Sequence, residues 1–176
     1  MATKSAEMSA GVVVADWIKR LVDEERKRDA VRVRGEEEAA RKADLVRVHG
    51  RRLIDELRAT ITRDVEAFRD EFPGDRARDI VLEATEPEGG FVVRKPESLA
   101  VSLTVTPRLE AAAMGCHYRF TLTNGMPPRE DRFELVFAGD GGEPLQMKHH
   151  GTGQVFATAD ALSEFLLVPV FTGRPR

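Results

Sequence analysis

The sequence predicts an α+β protein with a long N-terminal helical arm, an antiparallel meander sheet of five to seven strands, and a C-terminal helix. Three observations predict this fold class. Apolar residues recur at helical spacing from residue 14 to residue 72, and the first proline of the chain is Pro73. Beyond Pro73 the apolar period falls to two, as in half-buried strands. The connections between these strands are short and rich in turn residues, which leaves no room for crossover helices.

Composition limits the number of domains and the classes of partner. A chain of 176 residues, 41% hydrophobic and 32% charged, can form one domain of about 100 to 150 residues with an appendage. The net charge of -3 provides no overall basic field, so we expect no nucleic-acid binding. Cys116 is the only cysteine, which excludes an internal disulfide and fits a reducing compartment.

The first residues predict neither a secretion signal nor a membrane span. Residues 1–13 are expected to be a disordered N-terminus with scattered charges, and the longest apolar run near them is three valines. A signal peptide needs about 7 to 15 apolar residues and a spanning helix about 20. We therefore expect a cytoplasmic protein.

Residues 14–44 are predicted to form a charged helical arm that begins with an apolar face. This face is the candidate partner-binding site, and its members are Val14, Trp17, Ile18, Leu21 and Val22. Such a face is unfavourable in water, so it should be buried by one of several contacts. It could fold back on its own domain at Gly35, pair with a second copy of the chain, or bind another protein or a membrane surface. Acidic neighbours such as Asp16 and Asp23 oppose the membrane alternative.

The segment from Asp23 to Asp44 contains eight acidic and seven basic residues, so its net charge is only -1. This balance makes it a poor phosphate-binding element. Acidic residues stand four positions before basic ones, which is the favourable order for ion pairs on a helix; the pairs are Asp23–Lys27, Glu24–Arg28, Glu37–Arg41 and Glu38–Lys42. The segment is therefore interpreted as a solvated helix, with a break at Gly35 left open because glycine disfavours helix interiors.

Residues 45–176 are predicted to be the α+β domain, and residues 45–72 its covering helix. A continuous helix over residues 14–72 would be about 88 Å long, whereas a domain of this size can cover only about 25 helical residues. One apolar stripe has that length, with Gly50 in the place of a missing member; it consists of Val46, Leu53, Leu57, Ile61, Val65, Phe68 and Phe72. Its spacing of about 3.7 residues favours a straight helix that packs on a sheet.

The sheet is predicted within residues 79–157 and the last helix at residues 158–168. Strands are expected near residues 80–85, 91–95, 99–106, 117–123, 133–137, 145–148 and 154–157. Thr158 should cap the C-terminal helix, and Pro169 should end it.

Few residues suggest catalysis, and the sequence predicts no catalytic, cofactor or metal site. Cys116 and His117 are adjacent, but neighbouring strand residues point to opposite faces and cannot form a dyad. His149 and His150 could supply one metal ligand and His117 a second, although their spacing matches no metal motif. The glycine-rich segment 139–143 is interpreted as a hairpin turn.

Two functional hypotheses follow. The first is a non-enzymatic interaction or scaffold protein, either a homo-oligomer or a docking protein for another chain, that acts through the helical arm. The alternative is a small-ligand-binding or enzymatic domain with a pocket between the sheet and its helices. A ligand-binding domain should have a pocket lined by converging polar groups such as His117, Arg119 and His149, whereas a scaffold should have a filled core and an uncovered apolar face on the arm.

Overall fold

The computed structural model describes residues 15–85, 89–97, 99–139 and 144–176. These residues confirm the predicted α+β class. The chain falls into two compact units, which divide between Ala39 and Ala40. The expected disordered segment 1–13 and most of the glycine-rich segment 139–143 lie outside the described residues.

Residues 16–70 are helical throughout. Helix α1 spans Asp16–Leu45, a π turn spans Val46–Gly50, and helix α2 spans Arg51–Asp70. Helix α1 continues through Gly35, so the break that was left open at this residue does not form. Good helix formers surround Gly35, and its cost of about 1 kcal/mol is too small to interrupt the helix.

The predicted stripe on the covering helix is largely buried, with one shift in register. Val46, Gly50, Leu57, Ile61 and Val65 are buried, whereas Leu53 and Phe68 are half-buried and Phe72 is exposed beyond the helix end. The buried residue in place of Leu53 is Ile54, because the π turn uses an extra residue and rotates the helical face that follows. Gly50 allows close approach, since a Cβ atom there would lie 2.9 Å from Leu109 Cδ2.

The sheet is a seven-stranded antiparallel meander in the order β1-β2-β3-β4-β5-β6-β7. Its strands are β1 Val81–Thr85, β2 Gly90–Lys95, β3 Ala100–Arg108, β4 Ala113–Thr121, β5 Arg129–Ala138, β6 Gln146–His149 and β7 Val155–Phe156. β4 begins four residues earlier than expected, because Ala112 adopts a left-handed φ of 49° that closes a tight turn directly before it. β5 also begins four residues earlier, where charged residues 129–132 pair with β4.

One face of the sheet packs against α2 and the last helix, α3, which spans Ala159–Thr172. Alternate strand residues such as Leu103, Met114 and Leu135 are fully buried between these layers. The other face carries polar and charged side chains, as expected for an antiparallel sheet with one face in water.

The C-terminal helix continues past Pro169, which was expected to end it. Thr158 caps the helix as predicted, since its Oγ1 accepts a hydrogen bond from the amide of Ala161 at 3.1 Å. Pro169 is buried inside the helix and cannot donate to the carbonyl of Phe165, four residues earlier. The Arg176 guanidinium donates to this same carbonyl and lies over the Phe165 ring, 3.7 Å from its centroid. The missing backbone hydrogen bond is thus replaced from outside the helix.

Candidate functional site

The candidate partner-binding face on α1 is uncovered. Trp17 is 61% exposed, Leu21 48% and Val22 40%, whereas Ile18 is half-buried. Val14, the fifth member of the face, lies outside the described residues. No residue of α1 is buried, although the helix has 30 residues. A contiguous apolar face of this kind is typical of an interaction surface.

The charged part of α1 is solvated, as predicted, but its ion pairs follow a different spacing. Most pairs join residues three apart, namely Asp16–Lys19, Asp23–Arg26, Glu25–Arg28 and Asp29–Arg32, and Arg32–Glu36 spans four. The four pairs expected from the sequence are not among them. Long arginine side chains can reach either neighbour on an exposed helix, so the sequence does not decide between the two spacings. Exposed pairs of this kind contribute about 0.3–0.5 kcal/mol each.

The three polar residues that would define a ligand pocket do not converge. His117 and Arg119 alternate with the buried residues of β4 and therefore lie on the polar face of the sheet. His149 lies on the opposite face, where its ring stacks on Phe133 with 5.0 Å between centroids. The expected constellation is therefore divided between the two sides of the sheet.

His117 and Glu130 are neighbours on the polar face of the sheet. His117 Nε2 lies 3.4 Å from Glu130 Oε2 without a hydrogen bond of good geometry. Arg132 donates to Glu130 at 3.0 Å, and this contact, assisted by His117, holds the pKa of the Glu130 carboxyl below its ordinary value. A carboxylate stabilised in this way is a weak general base.

His149 has a structural role in the turn after β6. Its Nδ1 accepts hydrogen bonds from the amides of Gly151 and Thr152, each at 3.1 Å. This nitrogen is therefore occupied by hydrogen bonds to the backbone. In the part of the chain that the structure describes, no group of three or more His, Cys, Asp or Glu side chains is placed to hold a metal ion.

Cys116 is on the buried face of β4, directly paired with Phe133 of β5. Burial raises the pKa of its thiol well above the ordinary value. The thiol therefore stays protonated and unreactive at neutral pH. As the alternation of strand side chains predicts, His117 points away from it.

The interior between the sheet and its helices is filled. The cavity there has a volume of only about 20 Å³ and is lined by apolar side chains including Ile54, Met147 and Leu162. Binding pockets for small molecules have volumes of about 300–1,000 Å³. This cavity is thus too small for the ligand that the alternative hypothesis requires.

Two open clefts on the unit of residues 40–176 were not anticipated. The first, of about 560 Å³, surrounds the turn after α2, and its charges are paired, as in the Arg69–Asp79 contact of 3.1 Å. The second, of about 530 Å³, lies beside the last turn of α3 and includes Lys95. One sequence signal could have revealed Lys95, because it occupies an inward position of β2, two residues after Val93, where an apolar side chain is expected.

Comparison with known protein families, curated proteins and solved structures finds no match. Among the described residues, no helix combines the length and apolar character needed to cross a membrane.

Proposed function

We propose that the protein is a non-enzymatic interaction or scaffold protein that self-associates through α1. The observation that carries this proposal is the uncovered apolar face of Trp17, Ile18, Leu21 and Val22 on a helix without buried residues. The small volume of the apolar cavity between α2, α3 and the sheet supports it, because this cavity has no room for a small-molecule ligand.

The charge sequence of α1 favours a second copy of the chain as the partner. If two α1 helices lie antiparallel so that residue i faces residue 57 − i, six pairs of opposite charges face each other. The facing pairs are Asp16–Arg41, Lys19–Glu38, Arg20–Glu37, Asp23–Arg34, Glu25–Arg32 and Arg28–Asp29. No like charges face each other in this alignment, whereas a parallel pair in register would place like charges together at every level.

The same alignment places three of the four described apolar residues of the face opposite small ones, whereas Leu21 faces Glu36. Trp17 faces Ala40, Ile18 faces Ala39, and Val22 faces Gly35. Small residues allow two helices to approach closely, and apart from its own helix no described residue lies within 4 Å of a Cβ atom built on Gly35. The proposed pairing thus gives Gly35 a role as a contact point for the partner helix.

The proposal includes a cytoplasmic location and no binding to nucleic acid. The free, buried thiol of Cys116 is compatible with a reducing compartment. The acidic and basic residues of α1 are interleaved along the helix, so it offers no extended positive surface to phosphates.

The test is the double variant Trp17→Ala/Leu21→Ala, measured by sedimentation for mass and by thermal unfolding for stability. Burial of each side chain contributes about 1.5–3 kcal/mol, so the association should weaken roughly a hundredfold or more. The unfolding temperature should barely change. Val48→Ala is the control, since this valine is also exposed but lies in the π turn, and it should leave the mass unchanged.

Two results would contradict the proposal. A native protein that stays monomeric at all accessible concentrations rules out self-association. A double variant of unchanged mass and strongly lowered unfolding temperature would mean that Trp17 and Leu21 stabilise their own chain.

A further inference from the structure

A second surface of the molecule has the features of a small-ligand site. It is the cleft of about 530 Å³ beside the last turn of α3, lined by Ala77, Arg78, Lys95, Phe171, Thr172 and Arg174. Three of these side chains are cationic and none is acidic, in contrast to the neighbouring cleft around the turn after α2, where acids and bases alternate. A cleft of this volume is within the range of small-molecule sites.

Lys95 is the central observation, because the residue is largely buried while its ammonium group, at an open cleft, makes a single long hydrogen bond within the described part of the chain. The residue is only 8% exposed, and Nζ makes one long contact, donating to the Phe171 carbonyl at 3.4 Å. An ammonium group has three donors, so two of them remain available to an acceptor in the cleft. Lysine is almost never buried without a counter-charge, and the only acidic group that acts on Lys95 among the described residues is Asp75, which also accepts from Arg78.

The contact with α3 does not by itself explain this arrangement. A lysine near the carbonyl end of a helix is favourable and accounts for the hydrogen bond to Phe171. It does not account for two further cations on the same cleft. Burial and, second, the charge of Arg78 lower the pKa of Lys95, and the charge of Asp75 offsets this only in part. An anion between these groups would remove the repulsion.

The two arginines are held differently. Asp75 accepts from Arg78, whose guanidinium lies 4.3 Å from the centroid of the Phe72 ring, so this side chain is fixed. The Arg174 side chain is exposed, and within the described residues it forms no ion pair, while its backbone amide donates to Thr172 Oγ1 at 3.3 Å. Arg174 is thus free to contact a bound anion.

We propose that this cleft binds the carboxylate or phosphate group of a small organic molecule. Lys95 donates to the oxyanion from the floor of the cleft, and Arg174 and Arg78 donate from its sides. Phe171 and Ala77 provide an apolar wall for the rest of the ligand. The site is independent of the α1 face and would give the protein a ligand in addition to a partner.

The test is a titration of the full-length protein with inorganic phosphate and, separately, with benzoate, followed by calorimetry and by thermal unfolding. Sodium chloride at matched ionic strength controls for screening. At least one of the two anions should bind saturably and raise the unfolding temperature beyond the effect of chloride, and the anion that binds identifies the ligand class.

Lys95→Met should weaken this binding about tenfold or more, because methionine has a similar length to lysine but carries no charged donor. Lys148→Met is the matched control, since Lys148 is exposed on β6, and it should bind as the native protein does. Arg174→Gln provides a second variant at an exposed position where folding is not at risk, and it should also weaken binding. The proposal is overturned if neither anion binds saturably, or if Lys95→Met and Arg174→Gln both bind with native affinity.

Discussion

At the scale of single residues, one polar group of the core is matched closely to its partner. The Tyr118 hydroxyl donates to the carbonyl of Leu166 at 2.7 Å and so joins β4 to α3 inside the core. Burial raises the pKa of this phenol. The partner carbonyl lies three residues before Pro169, in the part of the helix where the proline disturbs the backbone ladder.

Tyr118→Phe should lower the free energy of unfolding by about 1 kcal/mol at neutral pH, because it removes one buried hydrogen bond. Chemical unfolding monitored by circular dichroism measures this change. Thr60→Val is the control, since its hydroxyl donates to the Glu56 carbonyl at 2.9 Å on the helix surface, and it should have a smaller effect. Equal losses in both variants would contradict a special role for the buried contact.

The pH dependence of the same variant provides a second measurement. The unfolded chain releases the Tyr118 proton near pH 10, whereas the folded chain retains it to higher pH because the folded pKa is raised. The unfolded state therefore binds fewer protons in this range, and the stability of the native protein falls as the pH rises above about 10. Tyr118→Phe lacks this loss, so the difference between the two proteins should shrink there.

At the scale of secondary-structure elements, the sequence predicts existence and order better than boundaries. All seven strands could be located, because a half-buried antiparallel strand has an apolar period of two. The start of β5 could not be located, because its first residues are charged and join the sheet only by pairing with β4. The end of α3 also escaped prediction, because the bond that compensates for Pro169 comes from Arg176, which no local pattern reveals.

The two candidate sites also differ in whether the sequence could predict them. The apolar face on α1 could be predicted because it lies within one helix, where spacing alone places side chains together. The cleft around Lys95 combines residues from β2, the turn before β1, and the end of α3. Only the tertiary structure brings these segments together, so sequence spacing could not reveal the cleft.

The antiparallel pairing proposed for α1 can be tested by exchange of charges. Glu37→Lys/Glu38→Lys should weaken the association at low salt, because these residues would then face Lys19 and Arg20 of the second copy. The quadruple variant that adds Lys19→Glu/Arg20→Glu should restore it, and sedimentation measures both. The effect should fade at high salt, where exposed charges are screened. Failure of the added pair to restore the mass would rule out this alignment.

At the scale of the whole molecule, the buried core belongs to one of the two units. Its members begin with Val46 in the π turn and end with Val170 in α3, so all of them lie within the unit Ala40–Arg176. Hydrophobic burial is the main stabilising contribution to folding. Stability and the proposed self-association therefore depend on different parts of the chain.

A fragment of residues 40–176 should unfold cooperatively at nearly the temperature of the full chain while losing its tendency to associate. The reason is that it keeps the whole core and removes Trp17, Ile18, Leu21 and Val22. Differential scanning calorimetry and sedimentation of the two proteins measure these properties. A fragment that begins at Arg51 is the control, since it also removes the buried Val46 and Gly50 and should unfold at a lower temperature. If the longer fragment is molten or insoluble, α1 contributes to the core. The exposed face of α1 would then not be explained by self-association alone.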